Sequence, residues 1–172
     1  MRPSVILFWF RRDLRLKDNT GLYHALKLAQ KLDLKVLTIF VFDKLILDKL
    51  EDKADRRVDF IHQTITELQA DLTANGKSIW VHYGSPATAF EEVTKQYKVH
   101  SVFTNQDYEP YGIQRDASIS SYLIKDKIAF HSYKDQVIFE KSEVTKEDGK
   151  PYTVFTPYSR KWKAAWEANP PK

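Results

Sequence analysis

The chain of 172 residues contains no cysteine, which excludes a disulfide-stapled scaffold, a thiolate zinc site, an iron–sulfur cluster and a cysteine nucleophile. Glycine is scarce, with five in all and none between Met1 and Thr20. The turn after the first apolar run therefore lacks the closely spaced glycines that let a pyrophosphate approach the backbone, and no glycine-lysine phosphate loop occurs elsewhere. Ordinary dinucleotide or ATP cradling by this turn is not expected. The only early apolar run, Val5 to Phe10, is too short to span a bilayer and leads into Arg11 and Arg12 rather than a small-residue cleavage site. Neither a membrane helix nor a signal peptide is read. His24, His62, His82, His100 and His131 are scattered without metal-ligand spacing, and no serine lies in a nucleophile elbow. The 27 basic and 23 acidic residues leave a charge of +4 without a long cationic block, enough for a weak pull toward polyanions and no more.

Apolar runs of strand length alternate with segments of helical period, the signature of an α/β layer fold around a mostly parallel sheet. Five strands are expected, at Val5 to Phe10, Lys35 to Phe42, Ser78 to Tyr83, Val99 to Asn105 and Ile128 to Tyr133. The first helix starts near Asp18 or Asn19 and places Leu22, Ala25, Leu26, Ala29 and Leu32 on a core-facing stripe. The second runs from about Asp55 to Asn75, with Val58, Ile61, Ile65, Leu68 and Leu72 spaced by threes and fours. Ser85 and Pro86 open a third, whose buried side is Ala89, Phe90, Val93 and Tyr97, and Tyr111 to Lys125 is a crossover helix. The polar stretch from Glu140 to Pro151 is a loop. Thr156 and Pro157 begin a last helix with Tyr158, Trp162 and Trp166 at every fourth position, and the terminal Asn169, Pro170, Pro171 and Lys172 read as a linker.

In an open parallel sheet ligands bind beyond the carboxyl ends of the strands, so the loops there carry the functional reading. After the first strand, Arg11, Arg12 and Arg15 surround Asp13, either to bind an anion or to form an ion-pair network with that aspartate. The second strand ends in Phe40, Val41, Phe42 and Asp43, which suits a flat ligand, or else Phe40 and Val41 are buried and Asp43 caps the next turn. Arg56 and Arg57 sit in the first turn of the second helix, where the macrodipole disfavours a cation. Asp52, Asp55 and Asp59 compensate them locally, or an electron-rich ligand does, and Arg57 is the one that leans toward the sheet. The fourth strand runs into Asn105 to Gly112, where Asp107 and Glu109 either accept from a heterocycle's N–H edge or, for Glu109, cap the helix starting near Pro110.

The strings VILFWFRRDLRLKDNTGL (5–22), TNQDYEPYGIQRD (104–116) and YTVFTPYSRKW (152–162) together resemble the N-terminal domain of the DNA photolyase and cryptochrome family. The Asn-Gln-Asp and Glu-Pro-Tyr-Gly pieces are more similar to class I cyclobutane pyrimidine dimer photolyases than to plant cryptochromes. The resemblance implies a three-layer, Rossmann-like α/β domain whose five-stranded parallel sheet has the order 3-2-1-4-5. It assigns residues 1–134 to the antenna domain and 135–172 to the polar loop, final helix and start of an interdomain linker. The family's helical FAD domain is expected beyond Lys172 and is absent from this chain.

The implied activity is that of a deoxyribodipyrimidine photo-lyase acting on UV-damaged DNA, with this chain inactive by itself. Its role would be to bind an antenna chromophore that passes excitation to the FAD of the helical domain. The alternative is the same domain of a cryptochrome blue-light receptor without repair activity. The partners implied are the chain's own C-terminal helical domain and, through the whole protein, damaged DNA; no membrane is involved and a cytoplasmic location is expected. Carried over by position, a deazaflavin- or flavin-type pocket would use Arg11, Phe40, Val41, Asp43, Arg57 and Asp107, whereas a shallower folate site would use Asn105 and Glu109. Pro110 and Tyr111 stand where folate-binding relatives often differ, so 8-hydroxy-5-deazaflavin or a flavin is favoured over methenyltetrahydrofolate.

Overall fold

Strand β1 (Ser4–Phe10) is buried at every position from Val5 onward, as the middle strand of a parallel sheet must be when helices cover both of its faces. In the computed structural model, which describes residues 2–52 and 54–170, β1 pairs with β2 (Lys35–Asp43) on one side and β4 (Lys98–Asn105) on the other. Strands β3 (Ile79–Gly84) and β5 (Ala129–Tyr133) complete a parallel sheet of order β3-β2-β1-β4-β5. Fold class and strand order are those expected, with strand ends shifted by about a residue.

The period of two sorts the core. Leu7 and Trp9 of β1 and Val41 of β2 pack with Ala89, Phe90 and Val93 of α4 (Pro86–Gln96) and Ile119 and Leu123 of α5 (Pro110–Ile124). Ile6, Phe8 and Phe10 point the other way, with Phe40 and Phe103, toward α1 (Thr20–Leu32) and α3 (Arg56–Ala74). Three of the helices begin on a side chain that meets an exposed amide: Asn19 for α1, Asp55 for α3 and Ser85 for α4.

The stripe on α1 is narrower than expected. Leu22, Ala25 and Ala29 are buried, but Leu26 is 52% and Leu32 39% exposed, because only the i, i+3, i+7 row meets the sheet. The close approach comes at Gly21, where a Cβ would lie 2.7 Å from Asn105 Oδ1. A short helix not read from the sequence, α2 (Lys44–Leu47), follows β2 directly, with Asp43 Oδ1 accepting from the Leu45 amide at 3.0 Å.

Two units divide the chain, Met1–Tyr133 and Lys134–Lys172. In the second, residues 140–151 form no helix or strand, and α6 (Phe155–Ala168) carries the aromatic stripe. Trp162 is half-buried, stacked on Trp166 at 5.6 Å and met edge-on by Phe139 at 5.5 Å. Pro171 and Lys172, read above as linker, lie outside the described residues.

Candidate functional site

The carboxyl ends of β1 and β2, the loop after β4 and the first turns of α3 and α5 enclose a cavity of about 500 Å³. That volume falls in the ~300–1,000 Å³ range of small-molecule and cofactor sites. Its position, beside the point where strand order reverses at β1, is where parallel sheets bind ligands.

One wall is charged. The alternation that turns Leu7 and Trp9 toward α5 also delivers Arg11, whose side chain is only 7% exposed. Its Nη1 donates to both carboxylate oxygens of Asp116 at 2.5 Å, and its guanidinium stands over the Trp9 ring. Among the described residues Arg11 Nη2 is buried without a hydrogen-bond partner. Burial pulls this guanidinium below its ordinary range, against the opposing attraction of Asp116. Arg115, next to Asp116 on α5, donates from Nη2 to Asp116 at 3.0 Å and to Asp107 at 3.3 Å. At the exposed rim Arg12 Nη2 meets Glu109 Oε2 at 2.6 Å, a bond that raises the arginine's proton affinity.

The remaining walls are mostly apolar. Phe40, Val41 and Phe42 come from β2, Ile46 and Leu47 from α2, and Val58 and Ile61 from α3. Asp43 is buried and takes two bonds, from the Leu45 amide and from the Tyr111 hydroxyl. Burial, followed by the bond to Asp43, pushes the Tyr111 phenol up to about 12.

Of the residues singled out from the sequence, Arg11, Phe40, Val41, Asp43, Arg57, Asp107 and Glu109 all line this cavity. Arg57 does so from its margin: its side chain is 78% exposed and paired with Asp55 at 2.5 Å, the local compensation weighed above, rather than turned toward the sheet. The bond from Arg57 pulls Asp55 down to about 2. Glu109 precedes α5 without capping it through its side chain; Asp107 Oδ1 instead accepts the Glu109 amide at 3.2 Å.

Asn105 is not among the lining residues. It is buried, donates to Asp13 Oδ2 at 2.5 Å and Asn19 Oδ1 at 2.9 Å, and accepts from the Gly21 amide at 2.8 Å. Asp13 in turn accepts the Arg11 amide at 2.9 Å. The side chains of Asp13, Asn19 and Asn105 thus occupy the start of α1.

Trp9, Arg115 and Asp116 were not singled out, and Tyr111 was named only as a departure from folate-binding relatives. The signal for Tyr111 and Arg115 was their spacing, four apart on a helix that begins just beyond the carboxyl end of β4.

Chemically, the cavity offers flat apolar walls, one guanidinium donor free to bond and carboxylates nearby. Those groups fit a planar heteroaromatic ring with carbonyl and N–H edges. Among the described residues no group of three or more His, Asp or Glu could hold a metal ion, and no helix is long and apolar enough to cross a membrane.

The DNA photolyase family matches residues 6–172. The chain is 35% identical over 170 residues to an uncharacterized 31.6 kDa protein of Synechococcus sp. and covers 99% of itself and 58% of that protein. It is 32% identical over 160 residues to the deoxyribodipyrimidine photo-lyase of Alkalihalophilus pseudofirmus, covering 92% of this chain and 33% of that one. The structure of an archaeal photolyase from Sulfolobus tokodaii, described as holding two FAD molecules with the implication of a novel light-harvesting cofactor, superposes with a TM-score of 0.67 at 32% identity. That match covers 81% of this chain and 31% of the other. The chain thus spans between a third and three fifths of the length of these relatives.

Proposed function

The chain belongs to the DNA photolyase family, and from that premise we propose that its cavity binds a planar antenna chromophore, 8-hydroxy-5-deazaflavin or a flavin in preference to methenyltetrahydrofolate. The observation that carries this reading is the unpaired, buried Nη2 of Arg11 at the wall of an otherwise apolar cavity. A buried donor left without a partner costs about 1–3 kcal/mol, and a ring carbonyl placed against it removes that cost. The second FAD of the Sulfolobus tokodaii photolyase supports a flavin-type dye.

When bound, such a dye absorbs near-ultraviolet or blue light and supplies excitation energy. The chain's own residues bind and orient it. Phe40, Val41 and Ile61 hold apolar faces away from water, Arg11 fixes one polar edge, and Asp107, anchored by Arg115, accepts from an N–H edge. In the whole protein we place this domain in a class I deoxyribodipyrimidine photo-lyase that repairs cyclobutane pyrimidine dimers in DNA. On this reading the FAD and the DNA contacts belong to a helical domain of the whole protein, and no repair is expected from the 172 residues alone.

The test is an absorbance titration with 8-hydroxy-5-deazaflavin, FMN and methenyltetrahydrofolate. Saturable binding of one of the first two, weakened in Asp107→Ala, is expected. Failure of both to bind, or tighter binding of the folate, defeats the reading.

A further inference from the structure

The indole of Trp9 lines the cavity although the residue is only 2% exposed, and two positive charges stand over its ring. The guanidinium carbons of Arg11 and Arg115 lie 5.2 Å and 4.9 Å from the ring centroid. Both are fixed there. Asp116 accepts from Arg11 Nη1 at 2.5 Å and from Arg115 Nη2 at 3.0 Å, and Asp107 holds Arg115 a second time at 3.3 Å. Neither guanidinium can swing away without breaking a charge-assisted bond. The cations, not their carboxylate partners, are the groups stacked on the indole.

Indole is among the most easily oxidised side chains, and a photoexcited flavin is a strong oxidant. A tryptophan against such a dye gives it one electron, which then returns; both partners recover unchanged and the excitation is lost as heat. A light-harvesting site must suppress that exchange. A cation over neutral indole is attracted by the negative face of the ring, whereas the same cation repels a ring that has lost an electron. We infer that Arg11 and Arg115 together make Trp9 harder to oxidise and so protect the excited dye from quenching, a role separate from holding it. This rests on the dye-binding reading above.

The experiment is time-resolved fluorescence of FMN or 8-hydroxy-5-deazaflavin bound at saturation to the 172-residue chain, compared across wild type, Trp9→Phe, Arg115→Gln and the double variant. Rates, the reciprocals of the lifetimes, are compared; because Arg115 also stands over the Tyr111 ring at 5.9 Å, recovery in the double variant is what assigns the quenching to Trp9. Trp9→Phe is expected to leave the lifetime nearly unchanged. Arg115→Gln shortens it about threefold or more, and adding Trp9→Phe restores it. An unchanged lifetime in Arg115→Gln overturns the inference, as does a several-fold lengthening in Trp9→Phe alone, which would mean that the indole already quenches. If Arg115→Gln does not fold, Trp9→Phe still tests the inference, since a several-fold lengthening of the lifetime in it overturns the inference. Absence of binding by either dye removes both this inference and the reading under it, whereas binding with the wrong pattern of lifetimes removes this one only.

Discussion

The Tyr111 hydroxyl donates a hydrogen bond to the Asp43 carboxylate, joining the first turn of α5 to the end of β2, 68 residues away in the chain. Both side chains line the cavity, so the bond holds two of its walls together. Because burial and Asp43 both favour the neutral phenol, its proton is held up to about 12. Tyr111→Phe is expected to lower stability by about 1 kcal/mol near neutral pH. The pH dependence has a definite sign. An unfolded tyrosine loses its proton near ~10, so the stabilisation is fully present below that pH and is lost as pH rises toward 12. Urea unfolding of wild type and variant from pH 8 to 12 checks this: the gap between them should shrink only in the upper part of the range.

Two arginines of the cavity should behave differently. Arg11 is buried with an unpaired Nη2, while Arg57 is largely exposed and folded back on Asp55. A charge-assisted bond from a buried donor contributes roughly 1.5–3 kcal/mol, so Arg11→Met is expected to weaken dye binding by about tenfold or more. Arg57→Ala removes an exposed pair and should change affinity by no more than about twofold. Equal losses in a fluorescence titration would show that Arg57 leaves Asp55 to meet the dye.

What could be read in the sequence was whatever short-range periodicity encodes. The strands were found because β1 and β4 are apolar runs, and the helix starts because Asn19, Asp55 and Ser85 precede amphipathic segments. Alternation also holds the explanation of Asn105: Phe103 faces α1 and α3, so a residue two further along shares that side and meets Asn19 and Gly21. Asp107 lies past the strand, where the alternation has ended. The contact of Tyr111 with Asp43 and the joint grip of Asp116 on Arg11 and Arg115 depend on how α5 docks, which no local pattern states. Likewise Leu26 and Leu32 look buried by composition, yet the helix surface reaching the sheet is too narrow to cover them.

Gly112 lies in the first turn of α5, where alanine would ordinarily improve helix propensity by about 1 kcal/mol. Here a Cβ would run into the carboxyl group of Asp107. Gly112→Ala is therefore expected to destabilise the fold by about 1 kcal/mol or more and to displace Asp107 from Arg115. Thermal unfolding reads the first effect and dye titration the second. A stabilised variant with full affinity would mean that the loop after β4 moves aside freely and that Asp107 is not held in place by close packing.

Asn105 separates a ligand contact from a fold contact. Its amide donates to Asp13 and Asn19 and its carbonyl accepts from Gly21, all within a buried cluster that also receives the Arg11 amide on Asp13. Asn105→Ala leaves several of these groups without partners, at a cost of roughly 2–5 kcal/mol. Asn105→Asp keeps the size but sets a second carboxylate against Asp13, so it should also destabilise, and less so as pH falls and one of the pair takes up a proton. If Asn105 only shapes the turn after β1, the fraction of either variant that remains folded binds dye with nearly wild-type affinity. The choice between folate and flavin then does not move either. Calorimetric unfolding together with titration at low temperature distinguishes the two roles, and a large loss of affinity in a fully folded Asn105→Asp protein would put this side chain back among those that touch the ligand.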